Sequence, residues 1–262
     1  INSYYSNLIE GHSTHPIDIE RAMQQDWAGD PARRDLQLES LAHISCQRSV
    51  ETRLRHEPDL NIAGQDFIVW LHRIFYEQLP SSLRRVRNEE TGATIDVVPG
   101  ELRRREVIVG RHIGPEAATL PAFLERFASF YQPAAFHGLA PLMAAIASHH
   151  RLMWIHPFLD GNGRVARLYT DAYFCRLPLP GYGLWNVSRG LARRRDEYMA
   201  ALTSADAPRR NDYDGRGSLS NEELVRVCMF FLDVCLDQIG FMRGLLGLDG
   251  LLDRIKGYVN MR

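Results

Sequence analysis

The stretch His156-Pro-Phe-Leu-Asp-Gly-Asn-Gly-Arg-Val-Ala-Arg167 constrains this chain more than any other, because it must end one helix and start the next within twelve residues. Pro157 has no amide proton and biases His156 away from helical dihedrals. The apolar run Leu152-Met153-Trp154-Ile155 therefore ends a helix at or just before His156. Asp160-Gly161-Asn162-Gly163 then supplies turn residues, and its two glycines let backbone N–H groups converge with no Cβ in the way. From Arg164 onward Val165, Leu168, Tyr169, Ala172 and Tyr173 recur at helical spacing, which puts the Gly-Asn-Gly turn on a helix N-terminus.

Such a turn suits an anion. Unpaired N–H groups and the positive end of the helix dipole favour phosphate, and Arg164 and Arg167, on adjoining turns, can fork onto its oxygens. Asp160 brings the opposite sign, and a lone carboxylate beside polyphosphate is a partial shell for Mg²⁺, which takes its remaining ligands from water and the phosphates. His156 is the group whose ordinary pKa lies near neutrality, suited to taking a proton from a hydroxyl nucleophile. The plainer alternative is a well-capped helix start with a surface histidine. A cap, however, needs neither two arginines nor two glycines flanking an asparagine.

The run matches the Fic family signature His-Pro-Phe-x-x-Gly-Asn-Gly-Arg-x-x-Arg at every fixed position, and the chain resembles that family. The resemblance implies a mainly α fold, a Fic-type helical bundle with one β-hairpin flap over the site. It implies His156 as general base and Asp160 as the Mg²⁺ ligand. Gly161, Asn162 and Gly163 would hold the α- and β-phosphates of ATP, Arg164 and Arg167 the β- and γ-phosphates, and Phe158 would anchor this nucleotide-binding loop in the core. The implied reaction moves AMP from Mg·ATP to a Ser, Thr or Tyr hydroxyl of a protein, with the chain itself among its targets and a homodimer as a further expectation. Three alternatives stay open: a relative that transfers another phosphoryl-linked group, an enzyme that also or mainly removes AMP, and a regulator that senses nucleotide with incidental turnover.

Ile1 to Ile9 reads as a short helix that runs into Glu10-Gly11 and is ended by the glycine. Ser6-x-x-x-Glu10-Gly11 resembles the inhibitory motif of Fic proteins, which in one subclass lies N-terminal to the core as it does here. The resemblance pairs Glu10 with the second signature arginine, Arg167, and a carboxylate there would take the place of a γ-phosphate. The alternative is an exposed helix glutamate beside a locally bonded serine. Residues Leu83 to Pro115 lose helical periodicity and read as a β-hairpin punctuated by Asn88 to Gly92, Val97 to Gly100 and Gly110. Val107, Ile108 and Val109 resemble the edge of the Fic flap, which pairs with an extended segment of the target through backbone hydrogen bonds. That edge can equally be no more than an edge.

The remaining segments read as helical scaffold. Asp30-Pro31 opens a long helix that is expected to bury Leu36, Leu38, Leu41, Ala42, Val50 and Leu54. A second runs from about Gln65 to Gln78, a third from Leu120 to Tyr131, and a fourth from Leu139 to Met153 with Leu139 on its buried side. Ser188 is expected to cap a helix to about Ser204 that carries Tyr198, the aromatic candidate for the nucleoside, with a core position as the alternative. His149 and His150, close before His156, are not read as forming a zinc site, because a catalytic histidine needs a free nitrogen and zinc would occupy it.

A formal net charge of −1 over 262 residues provides no field for nucleic acid or anionic membrane. The basic runs Arg103 to Arg105 and Arg193 to Arg195 are accordingly expected to be solvated. The four cysteines have no metal-binding spacing and read as reduced, which points to the cytoplasm. Residues 1–262 are expected to form a single Fic domain with an N-terminal inhibitory helix of about residues 1–11. The chain opens without Met and is expected to be a piece of something longer, with a winged-helix domain, where relatives carry one, falling beyond residue 262.

Overall fold

A computed structural model of the chain describes residues 2–87, 92–110, 112–247 and 250–260. The fold is mainly α, as expected. Helices α1 (Asn2–Ile9), α2 (Pro16–Met23), α3 (Pro31–His56) and α4 (Gln65–Tyr76) precede the strands, and α5 (Leu120–Phe130), α6 (Ala140–Ile155) and α7 (Asn162–Arg176) follow them. The series ends with α8 (Val187–Arg193), α9 (Arg195–Ala205), α10 (Asn221–Leu246) and α11 (Leu251–Asn260). Among the described residues no helix is long and apolar enough to cross a membrane.

Helix starts follow local chemistry. The Asp30 carboxylate accepts from the Arg33 amide at 2.8 Å with Pro31 in the first turn, and the Ser220 hydroxyl accepts from the Glu223 amide at 3.1 Å. The predicted helix from Ser188 to Ser204 is corrected in two respects. Its cap is Asn186, whose side chain accepts from the Ser188 amide, and the helix breaks at Arg194 into α8 and α9.

The hairpin (α6, α7) is the centre of the molecule. Helix α7 lies against α6, α3 and α4, and α10 crosses α6, α8 and α9. Phe158, Val165, Leu168, Tyr169, Phe174 and Phe231 are buried in a core that also takes in Phe67, Leu71 and Phe75 of α4. The prediction for α3 holds for Ala42, Val50 and Leu54 but fails for Leu36, Leu38 and Leu41, which are only half-buried, whereas Gln37, Glu39, Ser40 and His43 are fully covered. The physical reason is that this face of α3 meets the N-terminal segment and a charged part of α7, so its covered side must be polar. Leu139 caps α6 from outside and is 80% exposed.

The region expected to be one hairpin resolves into two antiparallel pairs: β1 (Arg85–Arg87) with β2 (Thr94–Asp96), and β3 (Ile108–Val109) with β4 (His112–Ile113). Asn88 to Thr91 and Arg111 lie outside the described residues. In the second pair Ile108 stands opposite Ile113, and both side chains are exposed.

Candidate active site

Helix α6 ends at Ile155, and His156 caps it with φ +48° and ψ 61°, a left-handed conformation that non-glycine residues seldom adopt. Its amide still donates to the Leu152 carbonyl at 3.1 Å, and its Nδ1 donates to the Met153 carbonyl at 3.2 Å. That bond fixes the tautomer and leaves Nε2 as the lone-pair nitrogen, with no partner among the described residues. Burial pushes the imidazole pKa down to about 4, assisted by the nearby His112 and Arg103, so the ring is neutral at physiological pH and competent as a base.

The turn that follows is locked by its own side chains. Asn162 accepts from the Phe158 amide at 2.9 Å and donates to the Phe158 carbonyl at 2.8 Å, closing the loop on itself. Phe158 is fully buried and stacks on His72 at 4.0 Å, as the anchoring role requires. Gly161 (φ +80°) precedes α7, which begins at Asn162, two residues earlier than the sequence pattern suggested. The first amides of α7 have no intrahelical acceptor, and these are the groups on which the expected anion nest would rest. A Cβ on Gly161 would lie 2.5 Å from the Tyr76 ring, and one on Gly163 would collide with the Glu10 carboxylate.

Glu10 therefore stands over the nest. Its Oε1 accepts from Arg167 Nη2 at 2.5 Å, and Arg167 also donates to the Ser6 hydroxyl (2.9 Å) and the Ser6 carbonyl (3.0 Å). Burial opposes ionisation of Glu10, yet the Arg167 and Arg164 guanidiniums hold its carboxyl below the usual range. The end of α1 explains how the carboxylate gets there. Gly11 donates to the Leu8 carbonyl at 3.1 Å and His12 to the Asn7 carbonyl at 2.9 Å, a Schellman closure with Gly11 at φ +88° and Glu10 as the capping residue. Arg195, exposed as expected, also donates to the Ile9 carbonyl at 2.8 Å.

Arg164 is held by acids as well. Its Nη1 donates to Glu39, a fully buried carboxylate of α3, through a very short bond, and its Nη2 reaches Tyr76 and Asp160, both at 3.3 Å. The other oxygen of Glu39 accepts from His12 Nδ1 at 2.7 Å, and this bond, against the cost of burial, raises the His12 pKa. Asp160 accepts from the Tyr76 hydroxyl at 2.6 Å on Oδ2 and leaves Oδ1 uncommitted on a side chain 38% exposed. No cluster of three or more His, Cys, Asp or Glu residues able to hold a metal occurs among the described residues. A divalent ion would therefore rest on this one carboxylate and on ligands brought by a substrate, the arrangement Mg²⁺ tolerates well.

Sequence reasoning missed four contributors. Glu39 and Tyr76 orient Arg164 and Asp160. His72 is buried and held neutral with its pKa near 4, accepts from the Gly100 amide at 2.8 Å, and donates to the Asp160 carbonyl at 3.3 Å. Arg103, expected to be solvated, is 4% exposed, and its Nε donates to the His156 carbonyl at 2.8 Å while its Nη atoms donate to the carbonyls of Arg105 and Pro115. It ties both shoulders of the β3–β4 pair to the turn that carries His156. The only available signal was the i, i+4 spacing of His72 and Tyr76 on an otherwise apolar helix face.

Tyr198 requires a correction. It is 1% exposed, its hydroxyl pairs with His149 Nε2 at 2.8 Å, and it lies beside Arg167, so it takes the core position given as the alternative. The other nitrogen of His149 faces the Thr170 hydroxyl at 2.8 Å, so both nitrogens of that ring are engaged. The residues expected to form the flap lie at β3: Val107 accepts from the Gly114 amide, and Ile108 and Val109 pair with Ile113 and His112. His112 lies beside the base, with ring centres 6.4 Å apart.

Residues 63–174, which include His72, Tyr76, Arg103 and the whole His156–Arg167 loop, match the Fic/DOC family. The chain carries a Fic/DOC domain. It is 38% identical over 177 residues to protein adenylyltransferase Fic of Drosophila melanogaster, an alignment covering 68% of this chain and 32% of that protein. The chain thus spans about a third of the length of the curated relatives it matches. A Fic domain containing signaling protein from Bacteroides thetaiotaomicron superposes with a TM-score of 0.68 at 19% identity, over 92% of this chain and 84% of that one. A Fic family protein from Desulfovibrio desulfuricans superposes at 0.67 and 18% identity, over 95% and 65%. Ser6 to Gly11 precede the matched Fic/DOC range, so the family match does not extend to them.

Proposed function

We propose that this chain is a protein adenylyltransferase, acting as one Fic unit, that moves AMP from ATP to a Ser, Thr or Tyr hydroxyl and is restrained by its own Glu10. The observation that carries this reading is the juxtaposition of a neutral His156, free at Nε2, with the first turn of α7, whose amides have no helical acceptor. The name shared by the Drosophila relatives supports the same chemistry.

In the proposed reaction His156 Nε2 takes the proton of the target hydroxyl while that oxygen attacks the α-phosphorus. The bond from the α-phosphorus to the bridging oxygen breaks and pyrophosphate leaves. The first-turn amides of α7 meet the charge that develops, a contribution of about 3 to 4 kcal/mol where one such donor has been removed elsewhere. Arg164 and Arg167 would hold the leaving phosphates. Asp160 would hold Mg²⁺, which when bound neutralises phosphate charge. The exposed β3–β4 pair is suited to an extended target segment, and Arg103 keeps it at a fixed offset from His156.

Restraint follows from Glu10, whose carboxylate lies on Arg167 and over Gly163, where the terminal phosphate of a productively bound ATP would lie. The same carboxylate supports a second reading, removal of AMP by a water held beside the nest. Four unpaired cysteines fit a reducing compartment such as the cytosol. Incubation with ATP labelled at the α- or the γ-phosphate separates these readings. Protein that gains one AMP supports transfer. Gain of γ-label makes it a kinase-like relative, and loss of AMP from modified protein without any gain makes it a remover.

A further inference from the structure

A second cavity, of about 550 Å³, lies away from the nest between α5, α6, the first turns of α10 and the loop 215–219. Carbon forms most of its wall, with Phe127, Tyr131, Phe136 and Trp154 presenting ring surface. Three arginines line it from three different walls: Arg126 from α5, Arg151 from α6 and Arg216 from the loop. No Asp or Glu lines it, and none of the three arginines has an ion pair among the described residues.

Arg151 is the most telling of the three. Its Nη1 lies 3.2 Å from His150 Nδ1 and 3.5 Å from the Ala205 carbonyl, with no carboxylate in direct contact. The nearest acid, Asp206, is occupied by His150 at 3.2 Å and His112 at 3.4 Å. Arg151 also bonds the Tyr131 side chain and is balanced only at longer range by Asp206, so burial weighs against its charge and an anion in contact would offset that cost. The loop opposite is organised and ready to form a wall, since Arg209 donates from its amide to the Ser218 carbonyl and from its guanidinium to the Gly215 carbonyl.

We infer that this cleft is a binding site for an amphipathic organic carboxylate, its acyl or aryl body on the aromatic walls and its carboxylate among Arg126, Arg151 and Arg216. Apolar walls with a few convergent polar groups are the usual form of a small-molecule site. The absence of any lining acid excludes organic cations, and the scarcity of lining hydroxyl and amide groups excludes a sugar-rich ligand.

The test is displacement of 1-anilinonaphthalene-8-sulfonate, an aryl anion whose emission rises in apolar surroundings, from the intact chain. Decanoate and phenylacetate are the acyl and aryl displacers, and decanol is the uncharged control. The dye is expected to bind saturably, and the better of the two carboxylates to displace it at a concentration at least tenfold below decanol. Ala147→Phe, which fills the cleft from α6, should weaken dye binding at least tenfold. Arg126→Gln with Arg216→Gln, both exposed and unable to unfold the chain, should erase the preference for carboxylate over alcohol. Equal displacement by decanol and decanoate, displacement by neither carboxylate, or a preference untouched by the double substitution would each overturn the inference.

Discussion

One oxygen of Glu10 both accepts from Arg167 at 2.5 Å and covers Gly163, so a single carboxylate pairs with one arginine and stands over the first turn of α7, the two places proposed to hold phosphate. Removing it should free both. Charge-assisted bonds of this kind contribute about 1.5 to 3 kcal/mol. Glu10→Gly is accordingly expected to raise AMP incorporation from α-labelled ATP about tenfold or more, and an unchanged rate would show that Glu10 is not inhibitory.

Gly163→Ala separates relief of inhibition from damage to the nest. The new Cβ would displace Glu10 but would also stand where the proposed phosphate lies. Calorimetric titration with Mg·ATP should show weak binding in Gly163→Ala and in its combination with Glu10→Gly. Tight binding in either would mean that the nest is not the phosphate site.

The pH dependence follows from His156. Its pKa in the folded state is about 4, below the ordinary histidine value, so the unfolded chain binds the proton more readily. The stabilising contribution of the neutral ring is present above the ordinary value and is lost as pH falls towards 4. Transfer should therefore vary little with His156 protonation between pH 6 and 8 and decline only at more acid pH. A titration midpoint near 6.5 in the rate would contradict the buried, neutral base. His156→Ala should bind ATP and fail to transfer.

Glu39→Gln removes the fully buried partner of Arg164 and leaves Asp160 at 3.3 Å, so the loss should fall short of the roughly 3 to 5 kcal/mol seen where a buried pair is broken outright. Urea unfolding should show it as a lowered midpoint with the slope unchanged. Tyr76→Phe removes one hydrogen bond to Asp160 and should cost about 1 kcal/mol, or 2 to 4 °C in Tm. It should also raise the Mg²⁺ needed for half-maximal transfer. An unaltered metal requirement would place the ion elsewhere.

Arg103→Lys keeps the charge but loses the planar fork that holds Arg105 and Pro115. Transfer to a protein target should fall more than ATP binding does. Equal losses in both would reduce Arg103 to a folding role.

The loop from His156 to Arg167 was legible in the sequence because its residues act locally: a proline stops one helix, glycines admit amides, and arginines three apart share a face. The contact between Glu10 and Arg167 was legible only through resemblance, since 157 residues separate the two. Glu39 and Arg103 were invisible for the opposite reason. Charged side chains are rarely buried without a partner, and a single sequence does not say which distant group supplies one. The polar face of α3 was misread on the same ground, because helical periodicity records which residues are apolar and cannot tell whether the neighbouring surface is.

The Schellman closure at Gly11 gives the proposed restraint a quantitative character. Because Glu10 is fixed to the fold through α1, its carboxylate meets Arg167 at an effective concentration set by the tether and independent of how much protein is present. Nucleotide competes as a free solute against a tethered one. The open fraction should thus follow the concentration of ATP and stay constant on dilution of the enzyme, so that the chain reads out nucleotide supply rather than its own abundance.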